Sequence, residues 1–121
     1  MRDDPQSTPS AEPLELGGEL WLRAGSRTLG GAARIALLAA IGDTGSITRA
    51  AKAVGISYKA AWEAVDTMNN LAGEPLVLRS TGGKGGGGTV LTPRAVSLID
   101  AFRVIEREHR RFIGAASAAV A

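Results

Sequence analysis

The side chains that could do chemistry in this chain are few, and most of them are cationic. One residue of 121 is histidine, His109, and none is cysteine. That composition excludes disulfides, thiolate metal sites and cysteine nucleophiles. A single histidine cannot hold a metal alone. No carboxylate cluster has a matching nucleophile or base beside it, so neither catalysis nor a bound cofactor is expected. What remains is a set of cations, Arg49, Lys52, Lys59, Arg79 and Lys84. Such residues neutralise phosphates and supply affinity for a polyanion through counterion release, with little sequence information. Next to Lys59 stand Ser57 and Tyr58. A serine can donate or accept, a tyrosine can also pack a thymine methyl, and a lysine can reach guanine O6 and N7. Types in that order suit the edges of bases.

A second candidate is the stretch STGGKGGGG, Ser80 to Gly88. Successive glycines let backbone N–H groups approach an anion closely. A nucleotide-binding loop needs GxxxxGK[ST] between a strand and a helix. Here Lys84 is followed by Gly85, and a strand comes next. The glycine run reads instead as a loop tip offering Lys84 to a phosphate, or as a solvated loop.

These residues need elements to position them. Gly45 to Ala72, GSITRAAKAVGISYKAAWEAVDTMNNLA, reads as two helices joined by a sharp turn. Ser46 caps the first, and Ile47, Ala50, Ala51 and Val54 recur at helical spacing. Gly55 suits a left-handed exit from that helix, with Ile56 expected to plug the corner. Ser57 caps the second helix, where Ala61, Val65, Met68 and Leu71 line one face. This is a helix-turn-helix, the second helix being the one offered to a DNA major groove. An αα-corner without a ligand has the same outline.

After that helix, Pro75 biases Glu74 to an extended conformation. Leu76–Arg79 and Thr89–Leu91 read as paired strands, a hairpin wing. Upstream, Leu14, Leu16, Leu20 and Leu22 share one parity, which predicts a strand over 14–22 that could add a third strand to the wing sheet. Residues 23–31 read as a loop. Ala32–Ile41 reads as a helix with Ala33, Leu37, Leu38 and Ile41 inward, ending at Gly42. Thr92 and Pro93 open a last helix. There Ala95, Leu98, Phe102, Ile105, His109 and Phe112 step by three and four, a heptad-like seam suited to a dimer or to packing on its own domain. The arginines beside it, Arg103, Arg107, Arg110 and Arg111, read as a solvated face.

Charge is uneven. Residues 1–20 hold Arg2 against Asp3, Asp4, Glu12, Glu15 and Glu19, a net of −4, in a chain whose total is +2. The rest therefore carries +6, which suits a polyanion partner. Residues 1–13, with Pro5, Pro9 and Pro13, are expected to be a disordered acidic tail. Residues 14–121 are expected to form one domain. No apolar run is long enough for a membrane span and no signal peptide is evident, so a soluble cytoplasmic protein is expected.

The runs GSITRAAKAVGISYKAAWEAVDTMNNL and LVLRSTGGKGGGGTVLT resemble the N-terminal DNA-binding domain of the molybdate-responsive ModE family. ISYKAAWEAV and TGGKGGGG are the distinctive parts, and the likeness spans about Leu14 to Phe112. The helix pair also resembles LysR-type regulators, in its GSxTxAA and GIS elements and the later LT. The resemblance implies a mainly α fold with a small β-sheet, a winged helix-turn-helix with a long C-terminal dimerisation helix. It implies a dimer joined by the first and last long helices, reading a palindromic operator. The expected DNA-contacting set is Ser46, Thr48, Ser57, Tyr58, Lys59, Trp62, Arg79, Thr81, Gly82, Gly83 and Lys84. Trp62 is equally readable as core. The expected dimer seam is Leu98, Phe102, Ile105, His109 and Phe112. The family usually has a glycine shortly after the LT, where this chain has Ala95. Full-length ModE proteins continue into paired molybdate-binding barrels that are absent here, so molybdate sensing by this chain is not expected. The function expected is sequence-specific transcriptional regulation, with a protein–protein adaptor or a non-specific DNA binder of the same fold as the alternatives.

Overall fold

The computed structural model describes residues 9, 11–80 and 88–121. Residues 1–8 and 10, most of the expected tail, lie outside that range, as do Thr81, Gly82, Gly83 and Lys84 at the expected wing tip. In chain order the elements are β1 (Trp21–Ala24), β2 (Arg27–Gly31), α1 (Ala32–Thr44), α2 (Ile47–Val54), α3 (Tyr58–Leu71), β3 (Val77–Ser80), β4 (Gly88–Leu91) and α4 (Pro93–Ser117). The fold is mainly α with two small antiparallel sheets, β1–β2 and β3–β4.

The first sheet corrects the sequence reading twice. The strand is not 14–22: Leu14 and Leu16 are exposed, and pairing begins only at Trp21. The supposed loop 23–31 is the rest of a hairpin, Ala24 pairing with Arg27 across Gly25-Ser26. Gly-Ser between two short runs is a hairpin signal, and the leucine parity upstream obscured it. Nor does this hairpin extend the wing sheet. The outer edge of β4 is already engaged, because the Thr89 N–H donates to the Gly45 carbonyl at 2.9 Å. A side chain at Gly88 would come within 2.9 Å of that same carbonyl, so glycine is needed there for the α1–α2 turn to lie on the strand.

Helix α1 extends to Thr44, past the glycine at which it was expected to end; Thr44 Oγ1 donates to the Ala40 carbonyl at 2.8 Å. Its inward face is Ile35, Leu37, Leu38 and Ile41, whereas Ala33 is exposed. A run as apolar as IALLAAI carries too little contrast to set the phase of the face. In α2, Ile47, Ala50 and Ala51 are buried, and Ser46 Oγ caps by accepting the Arg49 N–H. Gly55 follows at φ 78°, and two bonds close the turn, Gly55 N–H to the Lys52 carbonyl and Ile56 N–H to the Ala51 carbonyl. Gly55 thus behaves as the sequence predicts, but Ile56 does not. Its side chain is 39% exposed, and its contribution to the corner is its N–H.

Helix α3 buries Ala61, Ala64, Val65 and Met68, and these meet Leu37, Leu38, Ile41 and Leu76 in the core. The start of β3 is fixed from two sides. Asn69 Oδ1 accepts the N–H groups of Leu76 and Val77, and Thr92 Oγ1 donates to the Pro75 carbonyl. Helix α4 opens on Thr92, which accepts the Ala95 N–H, with Pro93 in its first turn. Only Ala95, Ile99 and Phe102 of α4 are buried. Phe102 is 2% exposed and belongs to the core of its own domain. It offers no surface to a partner and leaves the expected seam. Ile105 and Phe112 lie outward, and Leu98 is half-buried against the core. His109 is half-buried beneath Gly18 of the N-terminal segment, whose Leu16 N–H donates to Ser117 Oγ.

Candidate nucleic-acid interface

Helix α3 begins at a corner that exposes its first turn. Ser57 Oγ accepts the Ala60 N–H at 3.0 Å, which sets the helix start. Ser57, Tyr58 and Lys59 then point to solvent, Tyr58 being 52% exposed. Lys59 Nζ lies 3.9 Å from Glu63 Oε2 one turn along, with both side chains well exposed. An open pair of this kind is weak, so Lys59 is free to leave it for a phosphate or a base.

Tyr58 and Trp62 lie on the same side of α3, four residues apart. Their rings meet edge to face, with centroids 6.2 Å apart and planes at 75°. Trp62 is half-buried and packs on the core. The Arg79 guanidinium lies over its ring, 4.5 Å from the centroid. This ties β3 to α3 through a cation–π contact. The core reading of Trp62 has a structural counterpart: the ring packs against the core and carries a cation over it.

Ser46, Thr48, Tyr58, Trp62 and Arg79 all line one cleft of about 250 Å³, where the start of α2 meets α3 and the ends of β3 and β4 that flank residues 81–87. The structure thus brings together five residues singled out from the sequence. Ser57 and Lys59 stand apart from the cleft on the outer turn of α3. Ser46 has a structural duty as well, since its hydroxyl caps α2. The cleft has further lining that sequence reasoning did not single out. Gly45, Ile47, Gly88 and Thr89 complete it. From the sequence Thr89 reads only as a strand residue, because nothing in a threonine beside a glycine run marks it as part of a site. Among the described residues no carboxylate lines the cleft. Among the described residues no group of three or more histidine, aspartate or glutamate side chains could hold a metal ion, and no helix is long and apolar enough to cross a membrane.

Residues 32–96 match the family described as bacterial regulatory helix-turn-helix protein, lysR family. The chain is 58% identical over 84 residues to the molybdenum-pterin-binding protein MopB of Rhodobacter capsulatus, covering 69% of this chain and 30% of that protein. It is 57% identical over 77 residues to the molybdenum transport protein ModE of Azotobacter vinelandii, covering 64% and 28%. It is 50% identical over 78 residues to the DNA-binding transcriptional dual regulator ModE of Escherichia coli K12, covering 62% and 30%. The chain thus spans about 30% of the length of these relatives. The crystal structure of ArgP from Mycobacterium tuberculosis is similar in fold, with a TM-score of 0.52 at 16% identity over 70% of this chain and 30% of that one.

Proposed function

The chain belongs to the lysR family of bacterial regulatory helix-turn-helix proteins, and from that premise we propose that it is a sequence-specific DNA-binding transcriptional regulator of ModE type that binds a palindromic operator as a dimer. One observation carries the reading. The first turn of α3 presents Ser57, Tyr58 and Lys59 outward at the end of a glycine-turned helix pair, with Arg79 of the following hairpin on the same side as Tyr58 and Trp62. A helix so placed can enter a major groove while the hairpin reaches the flanking backbone.

Ser57, Tyr58 and Lys59 are the residues proposed to read bases. Ser46, Thr48, Arg79 and the loop residues Thr81, Gly82, Gly83 and Lys84 are proposed to meet phosphates. Dimerisation is supported by α4, whose outward stretch carries Val104, Ile105 and Phe112 at 49%, 49% and 63% exposure. Two copies joined through that helix would set two α3 helices on one face of a duplex, and a palindromic site would mirror that symmetry. A role in molybdenum homeostasis is supported by the relatives' names, a molybdenum-pterin-binding protein and a molybdenum transport protein.

Selection from a pool of random-sequence duplexes tests the proposal. Enrichment of an inverted repeat is the expected result. Weak, salt-sensitive binding without enrichment would instead make the chain a non-specific DNA binder, and no binding at all would point to an adaptor that keeps the fold.

A further inference from the structure

The cleft at the start of α2 is lined with donors. The leading N–H groups of a helix have no partner inside it. In α2 two are satisfied locally: Ser46 N–H donates to Thr44 Oγ1 and Arg49 N–H to Ser46 Oγ. Among the described residues those of Ile47 and Thr48 have no partner, at the positive end of the helix dipole. Arg79 adds a full charge, and it has no carboxylate partner among the described residues. Thr89, which also lines the cleft, is 8% exposed, and its Oγ1 is the buried side-chain polar atom without a hydrogen-bond partner among the described residues. A buried hydroxyl left unpaired calls for an explanation. Orphaned backbone donors, an unpaired hydroxyl and a cation around one small cleft have a common complement, an anion with several acceptor oxygens.

We propose that this cleft is a seat for a tetrahedral oxyanion, filled in the DNA complex by one backbone phosphate, and that Trp62 is a positioning residue that holds Arg79 over it. Held over the indole 4.5 Å from its centroid, the guanidinium can spend its charge on the ring and still offer N–H groups to oxygen. Tyr58, edge-on to the same indole, limits how far Trp62 can turn. Trp62 thus acts on the anion through Arg79. The source of the phosphate rests on the DNA-binding reading above. The chemistry of the cleft does not, since a free phosphate-like oxyanion presents the same oxygens.

Two measurements on the full chain separate these points. In the first, amide resonances are followed while sodium phosphate replaces sodium chloride at constant ionic strength. The amides of Ile47, Thr48 and Thr89 should shift with phosphate alone. Arg79→Met and Trp62→Ala should abolish the shifts, and Trp62→Phe, which keeps a ring under the guanidinium, should retain them. Thr89→Val replaces an unpaired polar atom with a methyl, so it should fold at least as well as the parent and yet bind phosphate more weakly. Absence of phosphate-specific shifts in the parent, or equal shifts in Arg79→Met, would overturn the seat. The second measurement scans single neutral methylphosphonates along the selected duplex. One position should cost the parent about tenfold in affinity and cost Arg79→Met nothing further. Losses that add in Arg79→Met at every position would overturn the DNA phosphate as occupant and leave a free oxyanion. If the chain bound no DNA, the function would fail while the phosphate titration still decided the seat.

Discussion

Asn69 Oδ1 accepts the backbone N–H of Leu76 at 2.8 Å, seven residues on and across the turn that leaves α3. The same oxygen takes the Val77 N–H at 3.1 Å, while Asn69 Nδ2 donates to the Val77 carbonyl at 3.1 Å. One carboxamide therefore does for the start of β3 what a neighbouring strand would do. It also fixes where the hairpin leaves α3, and so where Arg79 lies relative to Trp62. Asn69→Ala would leave two N–H groups near the core without that acceptor, at a cost of about 1–3 kcal/mol. Asn69→Asp keeps the acceptor and loses only the donor, so it should recover most of the loss above neutral pH. Urea unfolding midpoints of the two variants decide this. An aspartate variant no more stable than the alanine one would show that the accepting oxygen is not what matters.

The parts of this fold that were legible are those whose cause is local. Ser46, Ser57 and Thr92 cap helices as their positions suggest, and Gly55 turns left-handed where the chain must leave α2. The wing strands followed from Pro75 and the apolar runs around the glycines. What the sequence concealed depends on distant partners. The leucine parity at 14–22 mimicked a strand, but Leu20 and Leu22 pack against the core while Leu14 and Leu16 stay exposed. Phe102 shares the heptad spacing of Ile105 and Phe112, and spacing cannot say where a helix passes from its own core to the surface. The cleft is of the same kind. Thr89 meets the start of α2 only because β4 folds onto the α1–α2 turn, a contact between residues more than forty apart in sequence.

The turn between α2 and α3 makes a sharper test of backbone reasoning. Gly55 has φ 78°, and a side chain added there would meet nothing within 4 Å. Any loss on substitution is then backbone strain rather than a clash. Gly55→Ala should cost about 1–2 kcal/mol. Gly55→Asn should cost less, because asparagine tolerates the left-handed region. Thermal unfolding measures both. An alanine variant as stable as the parent would mean that the turn relaxes to another conformation.

Lys59 and Lys84 should behave differently in binding. Lys59 stands on the outer turn of α3, paired only loosely with Glu63. Its replacement by alanine should weaken binding to the selected operator and relax preference at one base position. Lys84→Ala should weaken binding to all duplexes about equally and reduce the slope of log affinity against log salt by about one. Titrations at several salt concentrations, on operator and scrambled duplexes, separate the two behaviours. An unchanged slope in the Lys84 variant would remove the wing tip from the interface.

The last helix allows the dimer to be tested without disturbing the fold. Ile105 and Phe112 are 49% and 63% exposed, while Phe102, one turn before Ile105, is buried. The apolar seam is therefore divided between two duties. Phe102→Ala should destabilise the domain by about 3–5 kcal/mol, whatever its oligomeric state. Ile105→Glu with Phe112→Glu removes no core contact and should leave the helical circular dichroism unchanged. If α4 joins two copies, that double variant should scatter light as a monomer at concentrations where the parent is a dimer. It should also bind an inverted repeat no better than a single half-site. A parent that is already monomeric at high concentration, or a double variant that stays dimeric, would place the dimer contact elsewhere or remove it.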